Sequence, residues 1–192
     1  MLSMKTSVHA KDAGDYYGQD DYYLEKTGYW YGHDELMKTL RLSGDGEVEP
    51  DVFTKLLQGY HPRGGEPPIA IVENAGDDGR RGGTYFTFSA PKFVSILSFQ
   101  DERIRKAFDT AVQRSLDYVE SFIQVRHKRN GVVSIEKTGK AVFAVFNHAT
   151  TRPPEEDETP DPQLHAHCVM ANLTVDSDGQ FIGTSGKNQK CR

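Results

Sequence analysis

Three histidines in the second half of the chain have the residue type and spacing of a metal site. His165 and His167 lie one residue apart in the stretch DPQLHAHCVMAN, residues 161–172. Residues i and i+2 of a β-strand face the same side, so both rings can turn toward one ion. His148 ends another strand-like run, KAVFAVFNH, and becomes a third ligand if the two strands are neighbours. Three neutral nitrogens can hold a divalent metal and leave positions open for substrate, as in catalytic sites.

Two alternatives apply to the same histidines. An HxH pair also occurs by chance without any metal, and a cupin-like β-barrel also carries HxH on a strand. The barrel pattern requires a glutamate a few residues later, and the following residues CVMANL contain none. A long helix elsewhere in the chain also disfavours an all-β barrel. Cys168 alternates to the opposite face from the histidines and is interpreted as a small buried apolar residue.

The hydrophobic periodicity predicts the elements that position these residues. Residues 50–58 are predicted to form a short helix, and residues 100–126, with apolar positions three and four apart, one long amphipathic helix. IAIVEN and TYFTFSAP are predicted to pair as a hairpin. VVSIEKTG and KAVFAVFNH are predicted to join at a tight turn at Thr138–Gly139. The next strand begins near Leu164, after a loop rich in proline and acidic residues.

Length, charge and hydropathy predict one domain of a cytoplasmic protein. The 192 residues are enough for one domain with a proper core. No apolar run approaches the roughly 20 residues of a membrane span, and the first residues lack the layout of a signal peptide. We therefore expect no membrane insertion. The net charge of -5 disfavours nonspecific polyanion binding by the whole surface and leaves room for a local basic groove.

Two tyrosine pairs near the start of the chain form a second set of candidates. The stretch DYYGQDDYY contains Tyr16, Tyr17, Tyr22 and Tyr23. Such clusters usually serve packing or lie on the surface. A nucleophilic tyrosine needs assistance because the reference pKa of its phenol is about 10. A metal ion that polarises the electrophile provides that assistance without a strong base.

The ordered set of motifs resembles a known family. DYYGQDDYY, then TFSAPK at 87–92 before a long helix, then FNHATTR and DPQLHAH are together similar to the relaxase domain of MobF-class conjugative transfer proteins. These belong to the HUH endonucleases, named for histidine, bulky hydrophobic, histidine. The resemblance runs from Met1 to about Gly183 in the family's order. It treats residues 1–192 as a single relaxase domain, truncated at its C-terminus relative to the family.

The resemblance implies a fold, a reaction and partners. The fold is α+β, a two-layer sandwich with an antiparallel sheet of about five strands and packed helices. His148, His165 and His167 correspond to the metal triad for a divalent ion, Mg²⁺, Mn²⁺ or Zn²⁺. Tyr16 corresponds to the first nucleophile, with Tyr17 as its neighbour, and Tyr22 and Tyr23 to the second pair. The implied activity is nicking and strand transfer on single-stranded transfer-origin DNA through a 5′-phosphotyrosyl intermediate, with accessory relaxosome proteins as further partners.

Single-strand binding is expected to combine aromatic stacking with a basic groove, for which Arg81, Lys92 and Arg152 are the candidates. One residue departs from the family pattern. Relatives read DLTFSAPK where this chain reads YFTFSAPK, so Tyr85 stands in place of an aspartate and the carboxylate's role is vacant or moved. The alternative function is therefore a catalytically inactive remnant that only binds metal or DNA.

Overall fold

A computed structural model describes residues 1–9, 28–151 and 159–184, without the side chains of residues 5–9 and 129. The strands are β1 (Leu2–His9), β2 (Tyr29–Gly32), β3 (Arg81–Ser89), β4 (Gln124–Arg129), β5 (Val132–Lys137), β6 (Val142–Thr150), β7 (Pro162–Ala171), β8 (Thr174–Val175) and β9 (Phe181–Ile182). The helices are α1 (Asp34–Thr39), α2 (Pro50–Gln58), α3 (Lys92–Leu97) and α4 (Glu102–Glu120).

A five-stranded antiparallel sheet in the order β1-β3-β7-β6-β2 is the centre of the fold. β6 and β7 lie at interior positions and are buried along most of their length. Such strands are rich in β-branched, aromatic and small residues because side chains pack on both faces. The predicted α+β class with an antiparallel sheet of five strands is confirmed.

One face of the sheet is covered by α1 and α2. The helix α2 begins with Pro50 in its first turn and is followed by the capping residue Gly59, which adopts a left-handed conformation with φ of 87°. Proline and glycine are favoured at these positions. Its buried stripe includes Phe53 and Leu56, which belong to one core cluster with Phe146 and Val169 of the sheet. The predicted helix over residues 50–58 is confirmed, and it closes the core beside the histidine-bearing ends of β6 and β7.

The opposite face is covered by α4, so helices lie on both faces of the sheet. The carboxylate of Asp101 caps the first turn by accepting a hydrogen bond from the backbone N–H of Arg103 at 2.9 Å. Val112 and Leu116 are buried in the second core cluster with Cys168. Cys168 is fully buried on this face, as predicted, and burial raises the pKa of its thiol to about 12.

The predicted helix over residues 100–126 is too long, because α4 ends at Glu120 and residues 124–129 form β4. The buried Ile123 marks the change of direction, since its carbonyl oxygen accepts from the backbone N–H groups of Thr138 and Gly139 at 3.0 and 3.1 Å. β4 then pairs with β5 in a separate two-stranded ribbon. The predicted hairpin of β5 with β6 is therefore wrong: the edges of β6 are taken by β7 and by β2 from far earlier in the chain.

The predicted hairpin between IAIVEN and β3 is also wrong. Only Ala70 makes a bridge, to Tyr60, and the residues after Ile71 turn instead of extending. The N–H of Ile71 donates to the carbonyl of Gly59 at 3.0 Å, and Val72 is buried against the end of α2. Ile71 and Val72 thus pack into the core at a helix end, while Ile69 is exposed. Among the described residues, none of the helices has both the length and the apolar composition that crossing a membrane requires.

Candidate functional site

The register of β6 and β7 brings the three histidines together. His148 pairs directly with His165, and Phe146 pairs with His167. Alternation along each strand places the three rings on the same face as Phe146 and Val169, which belong to the core cluster under α2. The histidines continue that face beyond the helix. The predicted adjacency of the strands ending at His148 and beginning near Leu164 is confirmed.

The ring separations match those of imidazoles that share an ion. The centres lie 5.2 Å apart for His148 and His165, 5.1 Å for His148 and His167, and 4.7 Å for His165 and His167. With Nε2 about 2.1 Å from an ion, a ring centre lies about 3.2 Å from it, so two rings at ligand angles of about 90–110° have centres about 4.5–5.2 Å apart. The spacing therefore fits a shared divalent ion.

The planes of the three rings are not equivalent in orientation. His148 and His165 are nearly stacked at 24°, whereas His167 is close to perpendicular to both, at 70° and 89°. Within the described ranges, no three His, Cys, Asp or Glu side chains are arranged so that they could hold a metal ion as they stand. The residue types and the ring spacing of the cluster suit a divalent ion, although the side chains as placed do not form a complete metal site.

Hydrogen bonds on the far side of two rings set which nitrogen is available. The Nδ1 of His165 lies 2.8 Å from the carbonyl oxygen of Gln163. A carbonyl only accepts, so Nδ1 carries the proton and Nε2 is the unprotonated nitrogen of the neutral ring. The Nδ1 of His167 contacts the hydroxyl of Tyr85 on β3. All three histidines are buried, with exposed fractions of 3%, 6% and 8% for His148, His165 and His167.

Tyr85 is the residue at this site that sequence comparison left without a role. It pairs with Val169, while His167 pairs with Thr87, so Tyr85 and His167 are diagonal neighbours on one face of adjacent strands. Their rings stack with centres 5.5 Å apart at 21°. Comparison with the family pattern showed only that a carboxylate is missing at this position. The alternation of side chains along β3 could have indicated the role of Tyr85, because Tyr85 lies on the same strand face as Thr87, the residue that pairs with His167.

The predicted tyrosines Tyr16, Tyr17, Tyr22 and Tyr23 lie outside the described residues, so their roles stay predictions. The chain returns to the described fold at Gly28, directly against the histidine-bearing strand. A Cβ built on Gly28 would lie 2.6 Å from two ring atoms of Phe146, the residue two positions before His148. The N–H of Val48 donates to the carbonyl of Gly28 at 2.9 Å and fixes this backbone.

The candidate DNA-binding residues differ in their surroundings. The Arg81 guanidinium donates to the Asn172 side chain at 2.8 Å and to the Thr184 carbonyl at 2.9 Å, and burial lowers its pKa. Lys92 is 56% exposed and pairs with the exposed Asp161 at 3.2 Å; such surface pairs contribute little. Arg152 lies outside the described ranges. These contacts favour a structural role for Arg81, and DNA binding by the three residues stays a prediction.

A cleft of about 490 Å³ opens between α3 and the start of β7. Its lining includes Lys92, Ser95, Thr151 and Gln163, and Gln163 is two residues before His165 on the same strand face. The hydroxyl of Ser95 accepts from the N–H of Leu164 at 2.9 Å and ties α3 to β7. The cleft thus combines an exposed ammonium with polar groups beside the histidines.

In sequence, the chain is similar to one family model and to two conjugation proteins. The chain matches the family described as TrwC relaxase over residues 6–189. Two relatives, the multifunctional conjugation proteins TraI of Escherichia coli and of Escherichia coli strain K12, are 37% and 36% identical to it over 179 residues. The alignment covers 91% of this chain and 10% of each relative. The chain therefore spans about a tenth of the length of these relatives.

Solved structures of similar fold carry the same description. The conjugative relaxase TrwC in complex with oriT DNA, in a metal-free form, matches with a TM-score of 0.77 and 36% identity over 97% of this chain and 61% of that one. A metal-bound form of that complex has a TM-score of 0.75 and 35% identity over 97% and 62%, and a copper-bound form has 0.77 and 36% over 97% and 62%. The resemblance to MobF-class conjugative relaxases is confirmed, and the chain belongs to the TrwC relaxase family.

Proposed function

We propose that this chain is a metal-assisted domain that nicks and rejoins single-stranded DNA at a plasmid transfer origin, together with accessory relaxosome proteins. The observation that carries the proposal is the pairing of His148 with His165, which gathers three buried imidazoles at one end of the sheet. Membership of the TrwC relaxase family supports it, as do the oriT DNA complexes of similar relaxases.

The histidine cluster would hold a divalent ion through His148, His165 and His167. Imidazole accepts Zn²⁺, Mn²⁺ and other divalent ions, so the donor set alone does not choose among Mg²⁺, Mn²⁺ and Zn²⁺. Metal-bound and copper-bound forms of similar relaxases support a metal here. When bound, the ion would act as a Lewis acid on a non-bridging oxygen of the scissile phosphate.

The chain's own residues supply the nucleophile and the orientation. The Tyr16 oxygen attacks phosphorus in line, forming an O–P bond while the bond from phosphorus to the 3′ oxygen breaks. The phenol loses its proton, and the departing 3′ oxygen gains one, which leaves a 5′-phosphotyrosyl enzyme and a free 3′-hydroxyl. The exchange conserves one phosphodiester bond without water or ATP. The same 3′-hydroxyl, or another, can therefore reverse it, with Tyr17, Tyr22 and Tyr23 as the neighbouring candidates.

Positioning of the strand is assigned to the cleft beside β7. Lys92 presents an exposed ammonium there, and a phosphate would compete with Asp161 for it because both are anions. Arg81 and Arg152 remain the other candidates. A local basic contact of this kind is compatible with the net charge of -5, since affinity for phosphates depends on nearby Lys and Arg.

The proposal is tested with a labelled single-stranded oligonucleotide that carries the transfer origin of the protein's own plasmid. Incubation with Mn²⁺, Mg²⁺ or Zn²⁺ should give a covalent adduct that survives denaturing electrophoresis and is absent with a chelator. The adduct should be lost in Tyr16→Phe and in His165→Ala, and retained in Tyr118→Phe, which changes an exposed tyrosine on α4. DNA binding without an adduct under every metal would favour the inactive remnant.

A further inference from the structure

The hydroxyl of Tyr85 reaches a ring of the histidine cluster from behind. It contacts Nδ1 of His167, while the two rings stack with centres 5.5 Å apart. The two side chains are held on one face by the register of β3 and β7, in which Tyr85 opposes Val169 and His167 opposes Thr87. The register therefore places both side chains on the same face, within contact of each other.

The direction of this hydrogen bond decides whether His167 can be a ligand. A neutral imidazole carries one proton, and a hydroxyl can either accept or donate. Nε2 of His167 binds a metal only when the ring proton is on Nδ1, and that proton then donates to the phenol oxygen of Tyr85. His165 offers the same arrangement, because its Nδ1 faces the carbonyl of Gln163 at 2.8 Å.

Resting on the proposed metal-assisted function, we infer that Tyr85 is the positioning residue of His167. Its phenol oxygen accepts the Nδ1–H, fixes the ring and its tautomer, and presents Nε2 to the metal. A neutral phenol thus stands where the family pattern DLTFSAPK has an aspartate, and it orients the metal-site histidine in place of that carboxylate. A neutral partner also leaves the positive charge of a bound ion undiminished, which favours an anionic phosphodiester over the site.

Tyr85→Phe isolates this role, because it removes the hydroxyl and keeps the ring that stacks on His167. Groups that hydrogen-bond a metal ligand from behind change metal affinity by about 10- to 100-fold when removed. We expect Tyr85→Phe to weaken Zn²⁺ binding by about that factor, measured by competition with a chromophoric chelator. The matched control Tyr118→Phe removes a hydroxyl from a side chain that is 65% exposed and should leave the affinity unchanged.

A spectroscopic measurement separates positioning from a general structural effect. In protein with ¹⁵N-labelled histidine and bound Zn²⁺, His167 should give a slowly exchanging Nδ1 proton signal, and Tyr85→Phe should lose this signal while His165 keeps its own. The wild-type spectrum is informative by itself: a His167 ring protonated on Nε2 in the loaded protein overturns the inference, even if the variant does not fold.

The outcomes also separate this inference from the function on which it rests. Equal Zn²⁺ affinity in wild type and Tyr85→Phe, with the Nδ1 signal retained, overturns the role of Tyr85 and leaves the metal site standing. A wild-type protein that binds no Zn²⁺, Mn²⁺ or Mg²⁺ overturns both. Weakened binding and a lost signal in Tyr85→Phe, with Tyr118→Phe unchanged, support both.

Discussion

Gly28→Ala tests the close packing that holds the start of β2 against the histidine-bearing strand. The added Cβ would lie 2.6 Å from Cδ1 and Cε1 of Phe146 and 3.0 Å from the carbonyl oxygen of Val145. Carbon atoms in contact prefer about 3.5–4.0 Å, so the ring must move by about 1 Å. Phe146 is 1% exposed and packs edge-on against Phe53 with ring centres 6.0 Å apart, which leaves it little room.

Overpacking of this kind costs about 1–3 kcal/mol of unfolding free energy. For a chain of this size that lowers Tm by roughly 2–12 °C, at about 2–4 °C for each kcal/mol. Urea unfolding should show a lower midpoint with an unchanged slope. Gly65→Ala is the matched control, because a Cβ there meets nothing within 4 Å. Its effect should stay within about 1 kcal/mol and favour stability, through the restricted unfolded chain.

A double-mutant cycle with Phe146→Leu identifies the contact itself. The smaller leucine makes room for the new methyl group, so the double variant should lose less stability than the sum of the single variants by at least about 0.5 kcal/mol. Strict additivity, or a Gly28→Ala variant as stable as Gly65→Ala, would show that Gly28 does not pack closely against Phe146.

Three further predictions concern the metal, an acid and the buried thiol. At a Zn²⁺ concentration 100-fold above Kd, wild type should gain about 2.7 kcal/mol of stability in thermal unfolding, and His148→Ala should gain none; an equal gain would place the metal elsewhere. Burial, with the charge of Asp117 adding to it, raises the pKa of Glu120 from 4.5 to about 7. Between those values the unfolded state has lost this proton and the folded state keeps it, so stability should fall as pH rises, and Glu120→Gln should flatten that part of the profile in urea titrations. In a Cys191→Ser background, Cys168 should react with a thiol reagent only after unfolding, because its thiol is buried and its pKa is about 12; rapid reaction under native conditions would contradict this.

The histidine cluster was predictable from sequence because it depends on two local regularities. Alternation gives the face of each strand, and both β6 and β7 are long enough for alternation to be clear. The pairing of His148 with His165 then needed only that consecutive strands be neighbours, which is the commoner arrangement. The identity of Tyr85's partner depended on the position of β3 beside β7, a contact between residues 82 positions apart.

The two wrong hairpin predictions share a physical cause, which is competition between local and distant partners. The turn signal at Thr138–Gly139 is real, since Gly139 has a φ of 60°, but β6 pairs with β2 from far earlier in the chain. Likewise the apolar residues after Ile69 pack on the end of α2 instead of pairing with β3. Periodicity shows that a segment is apolar on one side and does not rank its possible partners.

The covalent adduct is the most direct test of the central claim. Protein incubated with its transfer-origin oligonucleotide and a divalent ion is digested with protease and nuclease, and the peptides are analysed by mass spectrometry. The account predicts a nucleotide phosphate on the peptide that contains Tyr16, dependent on the metal and on His165. An adduct on a tyrosine outside Tyr16, Tyr17, Tyr22 and Tyr23, or no adduct while the oligonucleotide is still bound, would contradict it.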